Sequence, residues 1–234
     1  MKFIDSGDYK AAYLLLDGLN YKDSDDKLAS IKPQCNEILL LEAQVGSHIY
    51  FGSYEQDNIA TNGKEDIEWL VLAREDNKIL VISAKILDCQ QYNTQLTHTT
   101  WEMCSLRKWL NDTFLRDAFS ADEQAQIQST DVTADINPIY NTNPGNDTTD
   151  KVFLLSIVEA EKYFSSASAR QCELTEYVNK KNKGNSRAWW LRSPGFNTNY
   201  AAYANYDGLF CYSGLSIRTN SVGVRPSMWI NLDS

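Results

Sequence analysis

The chain has 234 residues, which is enough for one substantial domain or for a domain with a small appendage. Its formal net charge of −9 argues against binding to nucleic acid or to an anionic membrane surface, because both partners require a basic patch. The chain has only two histidines, and its five cysteines are widely spaced without a C-x-x-C pair. We therefore expect no metal, no cofactor and no disulfide framework.

Composition also indicates the cellular location of the protein and the character of its surface. The first eight residues are too polar for the core of a signal peptide, and no apolar run reaches the roughly 18 residues that a membrane-spanning helix needs. These features predict a cytoplasmic protein, with delivery to a virion or a cell surface as the alternative. The 13 tyrosines and 6 tryptophans favour a folded protein whose surface binds a ligand.

Residues 1–35 predict a small helical hairpin. An apolar run at residues 11–16 is broken at residues 18–20, and the Asp-Ser-Asp-Asp run at residues 23–26 can cap a second helix. The segment resembles one half-repeat of a tetratricopeptide array. A single helix pair cannot build a solenoid, which needs about three repeats. Two interpretations stay open, namely a docking or dimerising appendage and the remnant of a longer array.

Short strands are predicted from residue 37 onward. Apolar runs occupy residues 38–41 and 49–51, on either side of Gly46. Two further apolar runs, at residues 68–73 and 78–83, flank the polar residues 74–77, which is a strong hairpin signal. Both strands of that hairpin are apolar enough to lie in the centre of a sheet.

Helices and a long loop follow. Apolar residues recur at three-to-four spacing over residues 105–115, which predicts an amphipathic helix, and Ser120 with Glu123 forms a capping box for another helical turn. Residues 135–147 are dense in Asn, Pro, Gly and Asp without the spacing of a calcium loop. We predict a solvated loop there.

The next segment predicts another strand and two helices. Residues 152–156 form a short apolar run, and Ser156 with Glu159 forms a second capping box. Residues 174–178 predict a short helix. The remaining chain predicts a compact antiparallel ladder, with strands at residues 189–192, 200–204, 209–212 and 222–232 and a turn at residues 207–208.

Two arginines in the last strands adjoin apolar segments. Arg192 follows two tryptophans, and Arg225 lies between Val224 and Pro226. An arginine in such a setting is usually partly buried and paired, so we prefer a structural role to anion binding. The residues predicted to be structural are Trp190, Arg192, Arg225 and Trp229.

Six segments together resemble a bacterial domain family of unknown function that is common in Gram-positive gut bacteria. They include WLRSPG at residues 190–195 and GVRP at residues 223–226. The likeness extends from about residue 38 to the end, and the family carries no established activity. The other four segments are residues 68–72, 80–83, 101–111 and 152–156.

The two arginine-bearing motifs carry a second resemblance. They are similar to segments of the C-type-lectin-like fold shared by formylglycine-generating enzymes and the variable proteins of diversity-generating retroelements, although Val224 stands where phenylalanine is usual. This resemblance implies an α+β fold of mixed and antiparallel sheets with flanking helices. Residues 36–234 would form that domain, and residues 196–221 would be its variable, ligand-binding region.

Composition of residues 196–221 agrees with this idea. The run contains no Lys, Glu, Gln, Met or Trp, although these five types make up about a fifth of the chain, and adenine-directed mutagenesis of AAY codons cannot produce them. Tyrosine and asparagine dominate, as in antibody paratopes. Strand alternation leaves open whether Tyr200 and Tyr203 face the core instead. The predicted contact residues are Asn197, Asn199, Tyr200, Tyr203, Asn205, Tyr206, Tyr212, Ser213, Arg218 and Asn220.

We therefore expect a non-enzymatic module that binds a protein ligand, with a glycan as a further possibility. Calcium-dependent sugar binding is disfavoured, because the Glu-Pro-Asn and Trp-Asn-Asp signatures are missing. One alternative is a relative of formylglycine-generating oxidases, which would need a reactive thiol pair, yet Cys211 has only the distant Cys172 before it. The other is a structural or adaptor protein of a phage or cell surface.

Overall fold

The computed structural model describes residues 24–181 and 186–233, and these residues form an α+β fold. The α+β class predicted from the sequence is therefore confirmed. The first helix and the turn of the predicted N-terminal hairpin lie outside the described residues. Among the described helices, none combines the length and the apolar character needed to cross a membrane.

Helix α1 (Ser24–Leu41) buries Ile31 and Cys35, which lie one helical turn apart. The helix includes residues 38–41, so the prediction of a strand there is wrong. A short apolar run has the same appearance in a buried strand and in a helix, and periodicity alone does not separate them. The domain boundary predicted after residue 35 falls within this helix.

The first sheet has four antiparallel strands. Its order is β1 (His48–Tyr54), β2 (Glu65–Glu75), β3 (Lys78–Ser83) and β11 (Ser227–Asn231). The β2–β3 hairpin is confirmed, and both of its strands are central. Buried residues alternate along β2 at Ile67, Trp69 and Val71, as expected for a strand with one face on the core.

The second sheet has five strands and carries four of the ten candidate ligand-binding residues, namely Tyr200, Tyr203, Tyr212 and Ser213. Its order is β4 (Asp88–Cys89), β10 (Gly223–Val224), β7 (Trp189–Pro194), β8 (Tyr200–Ala204) and β9 (Phe210–Ser216). Strands β10 and β7 are parallel, and the other neighbours are antiparallel. A separate pair joins β5 (Thr130–Val132) to β6 (Thr148–Asp150).

Residues 222–232 do not form the single strand that the sequence predicts. They divide into β10 and β11, which belong to different sheets. The division falls at Arg225 and Pro226, where proline has no N–H for a continuous ladder. The carbonyl of Pro226 accepts a hydrogen bond from the N–H of Ser83 at 3.0 Å, so this connection ties the two sheets together.

Residues 152–156 were also predicted as a strand, and this prediction is wrong. Only Phe153 makes a bridge there, to Ser227, although all five residues are buried. The helices agree better with the sequence, and both capping boxes, at Ser120 and Ser156, are confirmed. The helices are α2 (Ser105–Trp109), a π-helical turn (Leu110–Phe114), α3 (Leu115–Ala118), α4 (Ala121–Gln126), α5 (Ile157–Tyr163), α6 (Ala167–Arg170) and α7 (Glu176–Lys181).

Candidate ligand-binding surface

Arg192 of β7 holds irregular segments against the five-stranded sheet. The residue is 3% exposed, and its guanidinium donates hydrogen bonds to the carbonyls of Thr133 and Leu154 at 2.9 Å. It also forms ion pairs with Asp135, at 3.2 Å, and with Glu159. The guanidinium has five N–H donors in a fixed planar geometry, which lets one side chain bind several carbonyl and carboxylate groups at once. Arg192 therefore lies in a buried and paired environment, the kind expected of a structural arginine.

Arg225 is equally buried but has a different environment. Its Nε donates to the carbonyl of Ser83 at 2.9 Å, and its guanidinium lies 5.2 Å from the Trp189 ring centroid and 5.3 Å from that of Phe164. Burial lowers the pKa of the Arg225 guanidinium from its usual value. Its Nη1 also donates to the carbonyl of Arg170 at 3.5 Å, so aromatic faces and two carbonyls stabilise this cation.

The two predicted structural tryptophans differ in burial. Trp190 is fully buried, and its indole N–H donates to the carbonyl of Gln90 at 2.9 Å while Tyr92 packs edge-on at 5.7 Å. Trp229 is half-buried, and the Lys78 ammonium lies 4.8 Å from its ring centroid. Trp190 thus belongs to the core beneath the candidate surface, and Trp229 belongs to the other sheet.

Asn137 connects the loop at residues 135–147 to the five-stranded sheet. The residue is fully buried, and its side-chain amide donates to the carbonyls of Pro194 and Tyr212, both at 2.8 Å. Its Oδ1 accepts hydrogen bonds from the N–H groups of Ile139 and Tyr140. One side chain therefore fixes the loop conformation and the position of the loop on the sheet.

Apolar side chains from two segments lie exposed at this junction. Ile139 is 60% exposed and Tyr140 is 46% exposed, whereas Phe196, at the end of β7, is 45% exposed. The ring centroid of Phe196 lies 6.3 Å from that of Tyr140 and 4.3 Å from that of Tyr200. We call Ile139, Tyr140, Phe196 and Tyr200 the aromatic patch. Exposed apolar patches commonly mark interaction sites.

Sequence reasoning missed three of these four residues. Ile139 and Tyr140 lie in the segment predicted as a solvated loop. Phe196 lies inside the predicted binding region, residues 196–221, but is not among the predicted contact residues. A signal was present, since Ile136, Ile139 and Tyr140 are large apolar residues within a loop otherwise rich in Asn, Thr and Pro. Ile136 is exposed as well, at 53%.

The ten predicted contact residues do not share one surface. Strand β8 runs away from the aromatic patch and β9 runs back, so the β8–β9 turn lies at the opposite end of the sheet. The N–H of Ile217 donates to the carbonyl of Asn199, which joins the two segments at the patch end. Four predicted residues lie at that end, namely Asn197, Asn199, Tyr200 and Arg218, and Asn220 follows in the connection to β10.

The other five predicted residues are divided between two faces and the far turn. The Tyr212 hydroxyl donates to Glu161 of α5 at 2.9 Å, which places this tyrosine on the helix-covered face. Asn205 and the exposed Tyr206 lie in the far turn. On the opposite face, Tyr203 is the cross-strand neighbour of Cys211, and the Cys211 thiol lies 3.4 Å from the Ser213 hydroxyl.

Cys211 is the most accessible of the five cysteines. Partial burial acts to raise the pKa of its thiol, but hydrogen bonds with Ser213 and Tyr203 and with the N–H of Gly214 outweigh that effect, so the pKa lies below its usual value. Burial, with the Cys211 contact, raises the pKa of Tyr203 to about 12. Burial also raises the pKa of Cys104 to about 12 and raises that of Cys172.

Iodoacetamide should therefore modify Cys211 before Cys104 or Cys172 in the folded protein. The thiolate is the reactive form, and only Cys211 of these three combines access with a lowered pKa. Timed alkylation followed by peptide mass spectrometry measures the order. Replacing Tyr203→Phe should move the pH profile of Cys211 alkylation to higher pH. Equal labelling of Cys211 and Cys104 would contradict this assignment.

One acidic cluster lies apart from this surface. In the described part of the chain, carboxylate oxygens of Glu55, Asp57 and Glu65 come within 4.8 Å of one another. Glu65 Oε2 already accepts hydrogen bonds from the N–H groups of Gln56 and Asp57, and Asp57 accepts from Asn62. Protein donors thus compensate these charges, and we assign no ion to the cluster.

The geometry defines an α+β domain in which buried arginine and asparagine side chains hold an exposed aromatic surface. Residues 76–232 match the family described as a domain of unknown function, DUF6273, and the chain belongs to that family. The match begins at the β2–β3 turn and ends after β11. No curated protein and no solved structure matches the chain.

Proposed function

We propose that this chain is a non-enzymatic binding module whose protein ligand docks on the aromatic patch. The observation that carries the proposal is the exposure of Ile139, Tyr140 and Phe196 at a place where Asn137 holds two segments together. Tyrosine and phenylalanine provide large, rigid contact areas at low entropic cost. A prearranged patch also loses little conformational freedom on binding.

The lack of charged residues in the segments that form the aromatic patch favours a protein ligand with an apolar contact surface. Residues 136–143 and 195–200, which supply the aromatic patch, contain no charged residue. The centre of a protein interface is typically depleted of charge and enriched in aromatic residues, with a polar rim around it. Asn197, Asn199 and Arg218 at the patch end would supply part of that rim.

We further propose that the domain has the C-type-lectin-like fold of retroelement variable proteins, with residues 196–221 as the variable region. Support comes from the composition of that run and from its position between the buried Arg192 and Arg225. Every residue of β9 is partly exposed, so substitutions there would alter the surface, although Phe210, Tyr212 and Leu215 also pack against the core. A reverse transcriptase and a near-copy of the codons for residues 196–225 beside the gene would support this origin. Their absence would remove it.

A formylglycine-generating activity is the second candidate, and the lowered pKa of Cys211 favours it. That chemistry needs a second reactive thiol nearby. Cys172, the preceding cysteine, is buried and donates to the carbonyl of Ala84 at 3.2 Å. Loss of oxidase activity in a Cys211→Ser variant, in a copper-supplemented assay, would favour the enzyme. An adaptor role in a phage or at a cell surface is compatible with protein binding.

The double variant Tyr140→Ser/Phe196→Ser tests the docking site. A ligand is first identified by mass spectrometry as a protein that the immobilised wild-type chain retains. The Ile59→Ser variant, which removes an exposed apolar side chain outside the aromatic patch, is the control and should retain the same protein. We expect the double variant to bind the purified ligand at least 30-fold more weakly, because interface anchors commonly contribute about 2 kcal/mol or more each. Unchanged affinity, with an unchanged melting temperature, would refute docking on the aromatic patch.

A further inference from the structure

A groove lies beside the patch end of the sheet and shares no lining residue with the aromatic patch. Two adjacent cavities of about 450 and 260 Å³ share Thr94 and Ser105 in their walls, and we describe them together as one groove. It extends from Cys89 and Asn220 to His98. Small-molecule sites occupy roughly 300–1,000 Å³, which includes the larger of these cavities. We call it the amide groove, and its main polar residues are Gln90, Gln91, Thr94, Gln95, Thr97 and Asn220.

The chemistry of this groove differs from that of the rest of the surface. Within the described residues, no carboxylate lines it, and Lys108 is its one permanently charged side chain. The chain as a whole has 31 acidic residues, and the cavity of about 610 Å³ beside α1 is lined by Glu37, Asp66 and Glu123. The amide groove therefore presents neutral hydrogen-bonding groups in an otherwise acidic protein.

One aromatic surface accompanies the amides. Trp109 is half-buried, its ring centroid lies 5.5 Å from that of Phe114, and the residue lines the end of the groove near Asn220. Packing against Phe114 fixes the indole. A fixed aromatic ring provides a flat apolar contact for the C–H face of a polar ring. Gln95, Thr97 and Asn220 are exposed, so their amide and hydroxyl groups are accessible to a ligand.

The groove walls are held in place by internal hydrogen bonds. The buried Asn93 accepts a bond from the N–H of Ser105 at 3.1 Å and donates one to the carbonyl of Gln95 at 2.9 Å. Ser105 Oγ accepts from the N–H of Thr94 at 3.0 Å. Gln91 donates to the carbonyl of Arg218 at 2.7 Å. The groove is thus prearranged, which lowers the entropic cost of binding.

These properties select one class of ligand. A cationic ligand would find no carboxylate among the lining residues, and an anionic ligand would find one lysine. A wholly apolar ligand would leave buried amides without partners, which is unfavourable. A peptide usually adds to an exposed strand edge, but the strand beside the groove, β4, has only two residues. We infer that the amide groove binds a neutral oligosaccharide, through its amides and hydroxyls and through stacking on Trp109.

Nuclear magnetic resonance titration of the full chain tests this inference. The probes are the neutral trisaccharides maltotriose, cellotriose, xylotriose and chitotriose, together with acidic sialyllactose, basic chitosan trisaccharide and a neutral pentapeptide. We expect at least one neutral trisaccharide to shift amide resonances at residues 89–109 and 220, with at least tenfold higher affinity than the charged sugars and the peptide.

Two exposed positions provide a matched variant. Gln95→Ala/Asn220→Ala should weaken binding of that sugar about tenfold, since two hydrogen bonds are lost. Asn179→Ala, an exposed asparagine on α7, should leave it unchanged. The inference is overturned if no neutral trisaccharide shifts groove resonances at about 10 mM, if the shifts map elsewhere, or if the peptide binds more tightly. It stands independently of the aromatic patch, because Tyr140→Ser/Phe196→Ser should not alter sugar binding.

Discussion

Replacing Arg192→Met should destabilise the fold by roughly 3–5 kcal/mol, the range seen when one member of a buried ion pair is removed. The guanidinium is 2% exposed and serves two carboxylates, Asp135 and Glu159, which are about three-quarters buried. The carbonyls of Thr133 and Leu154 would also lose their donor. Urea unfolding at neutral pH, followed by tryptophan fluorescence, measures the free energy of unfolding.

Arg225→Met is the matched control for Arg192→Met, because it removes a buried cation that has no carboxylate partner among the described residues. Arg225 is just as buried but forms no ion pair among the described residues, and methionine can keep the apolar contacts with Trp189 and Phe164. We expect a cost of about 1–2 kcal/mol, chiefly from the Ser83 carbonyl that loses its donor. Equal losses for Arg192→Met and Arg225→Met would show that carboxylate pairing does not set the cost at Arg192.

Arg187→Ala provides the control at the surface. Arg187 is paired with Glu173 at 2.8 Å, but both side chains are more than half exposed. Solvent screens such a pair, and its loss should change the free energy of unfolding by less than about 1 kcal/mol. The three arginines together separate the effects of charge, burial and pairing.

Elements that depend on short-range signals could be predicted from the sequence. The Ser120 and Ser156 capping boxes each involve a glutamate three residues later, and the β2–β3 hairpin needs only two apolar runs and a short polar turn. The capping boxes and the pairing of β2 with β3 join groups that are close in the sequence, although both strands also pair with other strands of the sheet. Sequence patterns describe such elements well because the interacting groups are near neighbours.

The failed predictions concern segments whose conformation depends on distant partners. Residues 38–41 continue α1, and residues 152–156 are extended but pair only at Phe153 with Ser227. Residues 152–156 are buried, whereas residues 38–40 are half-buried and Leu41 is 47% exposed, so the same apolar character accompanies different degrees of burial. An apolar run does not show whether its backbone pairs with a strand or continues a helix, because tertiary contacts decide that choice.

The candidate surface could be predicted only in part for the same reason. The tyrosine-rich run was visible, but its residues alternate between two faces and occupy two ends of the sheet. The patch itself depends on Asn137, whose amide donates to Pro194 and Tyr212, 57 and 75 residues away. No local pattern marks an asparagine in a polar loop as the link between two distant segments.

Asn137→Ala should therefore lower the free energy of unfolding by roughly 3 kcal/mol, because buried carbonyl and N–H groups lose their partners. The Pro194 and Tyr212 carbonyls would lose a donor, and the N–H groups of Ile139 and Tyr140 would lose an acceptor. Urea unfolding measures the loss. Native-state hydrogen exchange should show faster exchange at Ile139 and Tyr140.

Two further variants test whether the effect comes from the amide N–H donors of Asn137 or from any substitution in this loop. Asn137→Asp keeps an acceptor for Ile139 and Tyr140 but turns a carboxylate oxygen toward two carbonyls, so it should be at least as harmful as alanine. Asn146→Ala, on the same loop, removes one hydrogen bond from the exposed Asn146 side chain to Glu102 but keeps the bond from the backbone N–H, so it should have little effect. Unchanged stability and unchanged ligand affinity in Asn137→Ala would show that the aromatic patch does not depend on Asn137. The loop would then be held by its other contacts, such as the hydrogen bond from Thr142 to the Gly195 carbonyl at 2.8 Å.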